Sequence, residues 1–276
     1  MKVPEANNPE PARPGVAGRM WIVLAALMWS SSGLFAKLPI FDDWAMHQRG
    51  PLLAFWRALF AGLLLLPWVR RPRWTPGLVP MTASFAGMNV AFLSAMVLST
   101  AANAIWLQST SPMWVFLLGL VLHRATISRL DALQLIFGAL GVGLILAFEI
   151  RGDAPLGVAC GLFAGICYAG VVISIAQLRE HDLVWLIALN HLVAAALLLP
   201  VVVYLGRWPT MNQLAVLACF GLVQMGLPYL FFARGLRTVG RQEAAGIALL
   251  EPLITPIWAY LTIGERPAVW TFAGGR

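Results

Sequence analysis

The sequence predicts an all-α membrane protein: an inverted repeat of two five-helix halves, forming a ten-span bundle whose tenth helix is cut short. Three observations predict it. First, 60% of the residues are hydrophobic and only 11% are charged. A soluble domain carries about 25% charged residues, so this chain lacks the charge to cover a water-facing surface. Second, the charges are segregated, and residues 80–122 contain no Lys, Arg, Asp or Glu. As one helix that stretch would be roughly 64 Å long, about twice a bilayer core. It is therefore read as two spans joined by a tight turn at residues 100–103. Third, basic residues alternate between successive connections, as spans crossing a bilayer require.

The elements follow in order. Residues 1–19 are polar and Pro-rich and read as a disordered cytoplasmic tail. The apolar run 20–38 is too long for a signal-peptide core and lacks a cleavage site, so it is a retained first span. Runs at 51–69, 80–99, 104–122 and 130–148 complete a first half, 20–148. Runs at 155–176, 184–205, 214–233 and 244–263 open a second half, 155–276, and a tenth span begins near Pro267. The sequence stops at Arg276, about ten residues into that span. It is then a fragment, or a protein lacking its last helix. Turn signals mark the connections, among them Pro39, Pro51, Pro72, Pro76, Pro80, Gly206, Pro209 and Gly264. The runs do not alternate apolar with polar residues, which excludes barrel strands.

With the N-terminus inside, the inside segments hold 12 of the 19 Lys and Arg, and the outside loops hold Lys37, Arg49, Arg151, Arg207 and Arg266. The positive-inside rule favours that orientation. The net charge of +7 belongs to these loops and implies no nucleic-acid partner. Cys160, Cys167 and Cys219 all fall in apolar runs, with neither a disulfide framework nor a metal spacing, and read as small packing residues. No cofactor is expected.

The halves correspond weakly in sequence. Thr110, Ser111 and Pro112 match Leu250, Glu251 and Pro252, and Met28, Trp29 and Ser30 match Cys167, Tyr168 and Ala169. Five spans per half is odd, so the halves sit in opposite orientations. The loop after the third span is neutral, whereas that after the eighth carries Arg237 and Arg241. Inverted repeats mark secondary transporters that bind substrate near the midplane.

Glu251 is the strongest candidate for chemistry, because a carboxylate within a span needs a partner, a cavity or a proton. Pro252 and Pro256 beside it free backbone carbonyls that can line a cavity. The readings are proton coupling, binding of a substrate ammonium, or a bond to a neighbouring helix. Arg57, about six residues into the second span, is placed near the outer interface, to snorkel, to make a structural hydrogen bond or to contact an anionic substrate group. His191 is a proton relay or a neutral packing residue. Trp29, Ser30, Ser31, Asn89, Trp106, Gln108, Tyr168, Gln224 and Tyr229 form a polar and aromatic set suited to an amphipathic metabolite. Read singly, each is an interhelical bond or a belt residue. Gly157, Gly161 and Gly165 mark a close-packing face. Gly138, Gly141 and Gly143 lie inside an apolar span and do not make a nucleotide loop.

Several stretches resemble one family. Residues 228–236 (PYLFFARGL), 244–252 (AAGIALLEP) and 261–267 (LTIGERP) are similar to the second repeat of EamA-like proteins of the drug/metabolite transporter superfamily. Residues 55–58 (FWRA) and 26–32 (ALMWSSS) are similar to first-repeat positions. The resemblance implies a ten-helix bundle, N-inside and C-inside, that moves amino acids, metabolites or drugs by alternating access. Ala125 stands where the family usually has an acidic residue, and Glu265 keeps it in the second repeat. The expected function is a secondary transporter, either an exporter or a proton-coupled permease, of small organic metabolites such as amino acids. It sits multi-pass in the cell (inner) membrane, alone or as a homodimer. The alternatives are an intramembrane enzyme, for which only Ser30–Ser32 with His191 offers a pairing, and a truncated non-transporting paralogue.

Overall fold

A computed structural model describes residues 16–123, 136, 140–141, 143 and 154–265. The expected fifth span, the start of the tenth and most of the N-terminal tail lie outside the described residues. Among the described residues every regular element is helical. The elements are α1 (Val16–Trp29), α2 (Ser32–Ala36), α3 (Met46–Leu65), α4 (Leu78–Leu98), α5 (Ala101–Gln108), α6 (Ser111–His123), α7 (Pro155–Gln177), α8 (Leu183–Leu205), α9 (Met211–Cys219), α10 (Leu227–Gly235), α11 (Arg241–Ala248) and α12 (Leu250–Ile263). A π-helical turn, Phe220–Gly226, joins α9 to α10. Among the described residues seven stretches are long and apolar enough to cross a membrane: Val16–Ala36, Met46–Trp68, Leu78–Leu98, Pro155–Gln177, Leu183–Leu205, Met211–Gly235 and Glu243–Ile263.

Three expectations shift. The first helix begins at Val16, inside the expected tail. The second span begins at Met46, five residues earlier than the apolar run suggested. Pro51 therefore sits within α3 rather than at a turn, which moves Arg57 from the interface to the middle of a helix. The fourth span is not one helix. It breaks at Ser109 and Thr110, whose hydroxyls donate back to the carbonyls of Ile105 and Leu107 at 2.7 and 2.6 Å. Pro112 disfavours helical backbone in the residue before it. The ninth span breaks at the corresponding place, Leu249, two residues before Glu251 and Pro252.

The turn expected at 100–103 forms at Ser99 and Thr100. Thr100 caps α5 by accepting from the Asn103 backbone N–H at 3.0 Å. Asp182 caps α8, and Thr210 with Gln213 forms a capping box on α9.

Large apolar side chains stay exposed around the bundle, among them Leu63, Phe163, Leu197, Val203, Leu253 and Leu261. In water such a surface would aggregate, whereas in a bilayer it is the solvent-facing side. Where helices meet, the core is built largely from alanine, including Ala54, Ala58, Ala91, Ala95, Ala164 and Ala194. Small residues let backbones approach where no hydrophobic force drives helices together. The glycine face of α7 behaves as the sequence suggested. A Cβ on Gly157 would meet the Leu98 backbone at 2.8 Å, and one on Gly165 would meet the Leu107 carbonyl at 2.8 Å.

The packing crosses between halves. α1 packs on α10, α3 on α8, α4 on α7, and α5 on α12. The described connections sort into two ends of the bundle. At one end the Lys37 ammonium donates to the Ser99 carbonyl, and Gln213 reaches the Ile40 carbonyl and Asp43. At the other, Arg19 pairs with Glu243 and the Arg70 backbone with Asp182.

The π turn lies against α3 because Gly221 has no side chain. A Cβ there would stand 2.6 Å from the Phe60 Cβ and 2.7 Å from the Arg57 carbonyl. Gly221→Ala is expected to destabilise the protein by about 1–3 kcal/mol, since neither neighbour can yield. Gly246→Ala on α11, where nothing lies within 4 Å, should be neutral or slightly stabilising. Thermal unfolding of the detergent-solubilised protein, followed by tryptophan fluorescence, checks the pair.

Candidate functional site

Arg57 is fully buried at the centre of α3. A guanidinium at that depth needs acceptors, because lipid supplies none. It has two: Nη2 donates to the Asn89 Oδ1 on α4, and Nη1 donates to the Gln224 Oε1 at 3.2 Å. Both amides are held from behind. Asn89 Nδ2 donates to the Ala54 carbonyl at 2.9 Å, and Gln224 Nε2 donates to the Trp29 carbonyl at 3.1 Å. The rings of Phe220 and Phe92 lie 5.3 and 5.9 Å from the guanidinium carbon, within cation–π range. Arg57 thus does not snorkel. It is a buried cation bonded by amides from both halves of the chain, with no carboxylate hydrogen-bonded to it among the described residues.

The π turn explains how Gln224 arrives. A π-helical insertion rotates the residues it carries relative to an α-helix, and such insertions are frequent at functional sites. Here it points Gln224 at α3 and places Phe220 over Arg57.

An aromatic group adjoins this joint. Trp29 meets Tyr229 edge-on at 5.1 Å and Phe232 at 5.3 Å. His191 is fully buried between Phe85 at 4.8 Å and Tyr229 at 6.0 Å, and among the described residues neither ring nitrogen has a hydrogen-bond partner. The pairing that serine chemistry would need does not form. Ser30 donates to the Leu27 carbonyl at 2.7 Å and accepts from the Trp258 indole at 3.1 Å.

Glu251 lies in the first turn of α12, directly after the break at Leu249, and is only partly buried. The helix dipole favours a carboxylate there. Its backbone carbonyl accepts from the Thr255 hydroxyl at 2.8 Å, and no hydrogen bond to its carboxylate is formed by the described residues. Bonding of its carboxylate to a neighbouring helix is therefore not what is seen.

The expected set separates. Trp29, Asn89, Gln224, Tyr229, Arg57 and His191 come together, and Ser30 is tied to α12 through Trp258. Tyr168 on α7 is 39% exposed and makes no hydrogen bond to the group among the described residues. Trp106 and Gln108 stand on α5 near the helix break, and no hydrogen bond joins them to the Arg57 group among the described residues. Ser31 turns back to the Met28 carbonyl. Among the described residues no group of His, Cys, Asp and Glu is arranged to hold a metal ion.

The sequence reading missed Phe92, Phe220 and Trp258, which looked like ordinary apolar residues. It also missed a polar joint at one end of the bundle. There Glu265, just beyond α12, pairs with Lys37 and accepts from the Ala101 backbone N–H at 2.6 Å. The joint ties the end of α12 to α2 and to the start of α5.

Three comparisons with known proteins bear on this arrangement. The model of the EamA-like transporter family matches residues 16–147 and 155–275. Two proteins of Archaeoglobus fulgidus, each described as an uncharacterized transporter, are similar along nearly their whole length. One is 27% identical over 264 residues, covering 94% of this chain and 92% of the relative; the other is 28% identical over 280 residues, covering 92% of each. A solved crystal structure superposes with a TM-score of 0.64 at 14% identity, covering 93% of this chain and 91% of that one. That likeness is one of fold alone.

Asn89→Leu removes one acceptor from Arg57 and the donor to Ala54. The expected loss is about 1–3 kcal/mol, the usual cost of leaving a buried polar group unmade. Trp106→Phe, outside the joint, should cost less. Comparing apparent melting temperatures in one detergent checks this.

Proposed function

We propose that this chain, which belongs to the EamA-like transporter family, is a secondary transporter of small organic metabolites such as amino acids, working by alternating access. Its multi-pass membrane character and transporter kinship are the premises. The finer reading is a ten-span bundle made of two inverted five-span repeats, 20–148 and 155–276, in the cell (inner) membrane with the N-terminus cytoplasmic.

The packing supports the repeat. Numbering the expected spans in order, the crossing contacts include one with eight and three with six, two with seven, four with nine, two with eight and three with seven, and one with nine and four with six. Exchanging each span for the one five places away returns the same set of pairs. The helix breaks at Ser109–Thr110 and at Leu249 exchange in the same way. Discontinuous helices facing one another near the midplane are how transporters of this architecture build a binding site. The arginines at 19, 70, 71, 73, 179, 234, 237 and 241 belong to one end, against Lys37, Arg49 and Arg207 at the other, which supports the cytoplasmic assignment.

One observation carries the mechanism: Arg57 is clamped by Asn89 of the first half and Gln224 of the second. A substrate carboxylate would compete with these neutral amides, since it brings a full opposite charge and can accept from the guanidinium with both oxygens at once. Once displaced, Gln224 no longer fastens the π turn to α3, and the halves can rock. Glu251, part-exposed beside the helix break, takes the substrate ammonium or a proton. The Lys37–Glu265 joint must part for the site to open at its end of the bundle. Binding energy that differs between two arrangements in this way shifts their populations.

Glu251→Gln keeps the shape and removes the charge. It should abolish transport, or uncouple it from a pH gradient, in proteoliposomes offered a panel of amino acids. Full activity with unchanged pH dependence would sink the role given to Glu251.

A further inference from the structure

At the arginine-rich end of the bundle, two cavities of about 390 and 300 Å³ adjoin, sharing Arg70 and Asp182 in their walls. Arg70, Arg71 and Arg73 line the larger one, together with Glu180 and His181. The smaller opens between the end of α3, the start of α8 and α10, and is lined by Trp68, Val184, Leu230, Ala233, Arg234 and Arg237.

Arginines outnumber carboxylates here: Arg70, Arg71, Arg73, Arg234 and Arg237 line the two cavities against Glu180 and Asp182. Glu180 faces only Arg179, at 4.0 Å with both side chains exposed. Asp182 has both oxygens committed to backbone N–H groups, those of Val184 at 3.0 Å and Arg70 at 3.1 Å. Arg234 lies over the Trp21 ring at 5.9 Å. Among the described residues no carboxylate forms an ion pair with Arg70, Arg71, Arg73 or Arg237.

The smaller cavity is mixed in character. Its lining combines Arg70, Arg234 and Arg237 with the apolar side chains of Val184, Leu230 and Ala233. Trp68, at the end of the second span, is 45% exposed at the edge. An aromatic residue there marks the membrane–water interface.

We propose that this cleft binds an anionic phospholipid, with the headgroup phosphate held by Arg70 and Arg237 and an acyl chain laid along Val184, Leu230 and Ala233. The phosphate recognition is shared with any water-soluble phosphate ester, but the apolar side chains and the interfacial Trp68 select a lipid. The cytoplasmic leaflet is the anionic one, and basic pockets between spans on that side suit acidic headgroups. Bound there, the lipid would bridge α3, α8 and α10, elements on both sides of the Arg57 joint.

The test titrates the full-length protein in a mild detergent with phosphatidylglycerol or phosphatidylcholine and reads the apparent melting temperature. Phosphatidylglycerol should stabilise the wild type at concentrations where phosphatidylcholine does not. Arg70→Gln combined with Arg237→Gln should weaken the phosphatidylglycerol response roughly tenfold or more, as expected for two cations near an anionic surface. Arg207→Gln, at the opposite end, should leave it unchanged. In case the double variant does not fold, the wild type is also titrated in high salt, where screening must shrink the preference. Equal responses to both lipids, a preference that ignores salt, or a folded double variant that keeps its preference would overturn the proposal. So would glycerol 3-phosphate alone stabilising the protein to the same extent through the same arginines.

Discussion

The structure depends on one constraint, a permanently charged side chain placed where lipid cannot solvate it. A charge at the bilayer centre costs about 3 kcal/mol even on the mildest scale, so Arg57 recruits acceptors wherever the fold can supply them. They come from residues 32 and 167 positions away in the chain, one on each half. Each acceptor is in turn oriented by a backbone carbonyl, those of Ala54 and Trp29. The π turn and Gly221 follow from this need. The turn aims Gln224, and the glycine lets that turn rest on the α3 backbone.

Alanine and glycine recur where the helices of the two halves meet and let their backbones pack closely. The two broken spans place helix starts within the bundle, and one of them carries Glu251. The second polar joint, between Lys37, Glu265 and the Ala101 N–H, lies at the opposite end from the arginine cleft. Other polar links between the halves include the Arg19–Glu243 pair, the Arg70–Asp182 bond, the bonds of Gln213 to Ile40 and Asp43, and the Ser30–Trp258 bond.

Much of the fold was legible in the sequence because a bilayer reads hydrophobicity and charge nearly directly. The seven long spans, the turn near Thr100 and the glycine face of α7 all follow from composition and spacing. Two things escaped it for physical reasons. Pro51 reads as a punctuation mark, yet membrane helices tolerate an interior proline, and the resulting five-residue shift hid how deep Arg57 lies. The breaks at Ser109–Thr110 and Leu249 lie within apolar runs, where hydropathy is blind to backbone continuity. The site was legible as residue types and not as partnerships. Asn89 and Gln224 stand out as amides in apolar helices, but their meeting at Arg57 depends on helix rotation, and for Gln224 on a π turn that no local pattern announces. Phe220, Phe92 and Trp258 carry no signal, since an aromatic residue facing a guanidinium or a serine looks like one facing lipid.

The most direct test of the joint is a double-mutant cycle between Arg57 and Gln224, using Arg57→Met, Gln224→Met and the combination, read by reversible unfolding in detergent micelles. If Arg57 fastens the two halves, each single change leaves its partner buried and unpaired. The double change should then cost less than the sum, with a coupling of about 1–3 kcal/mol. Simple additivity would contradict it, and would mean that the Arg57–Gln224 pair does not fasten the halves.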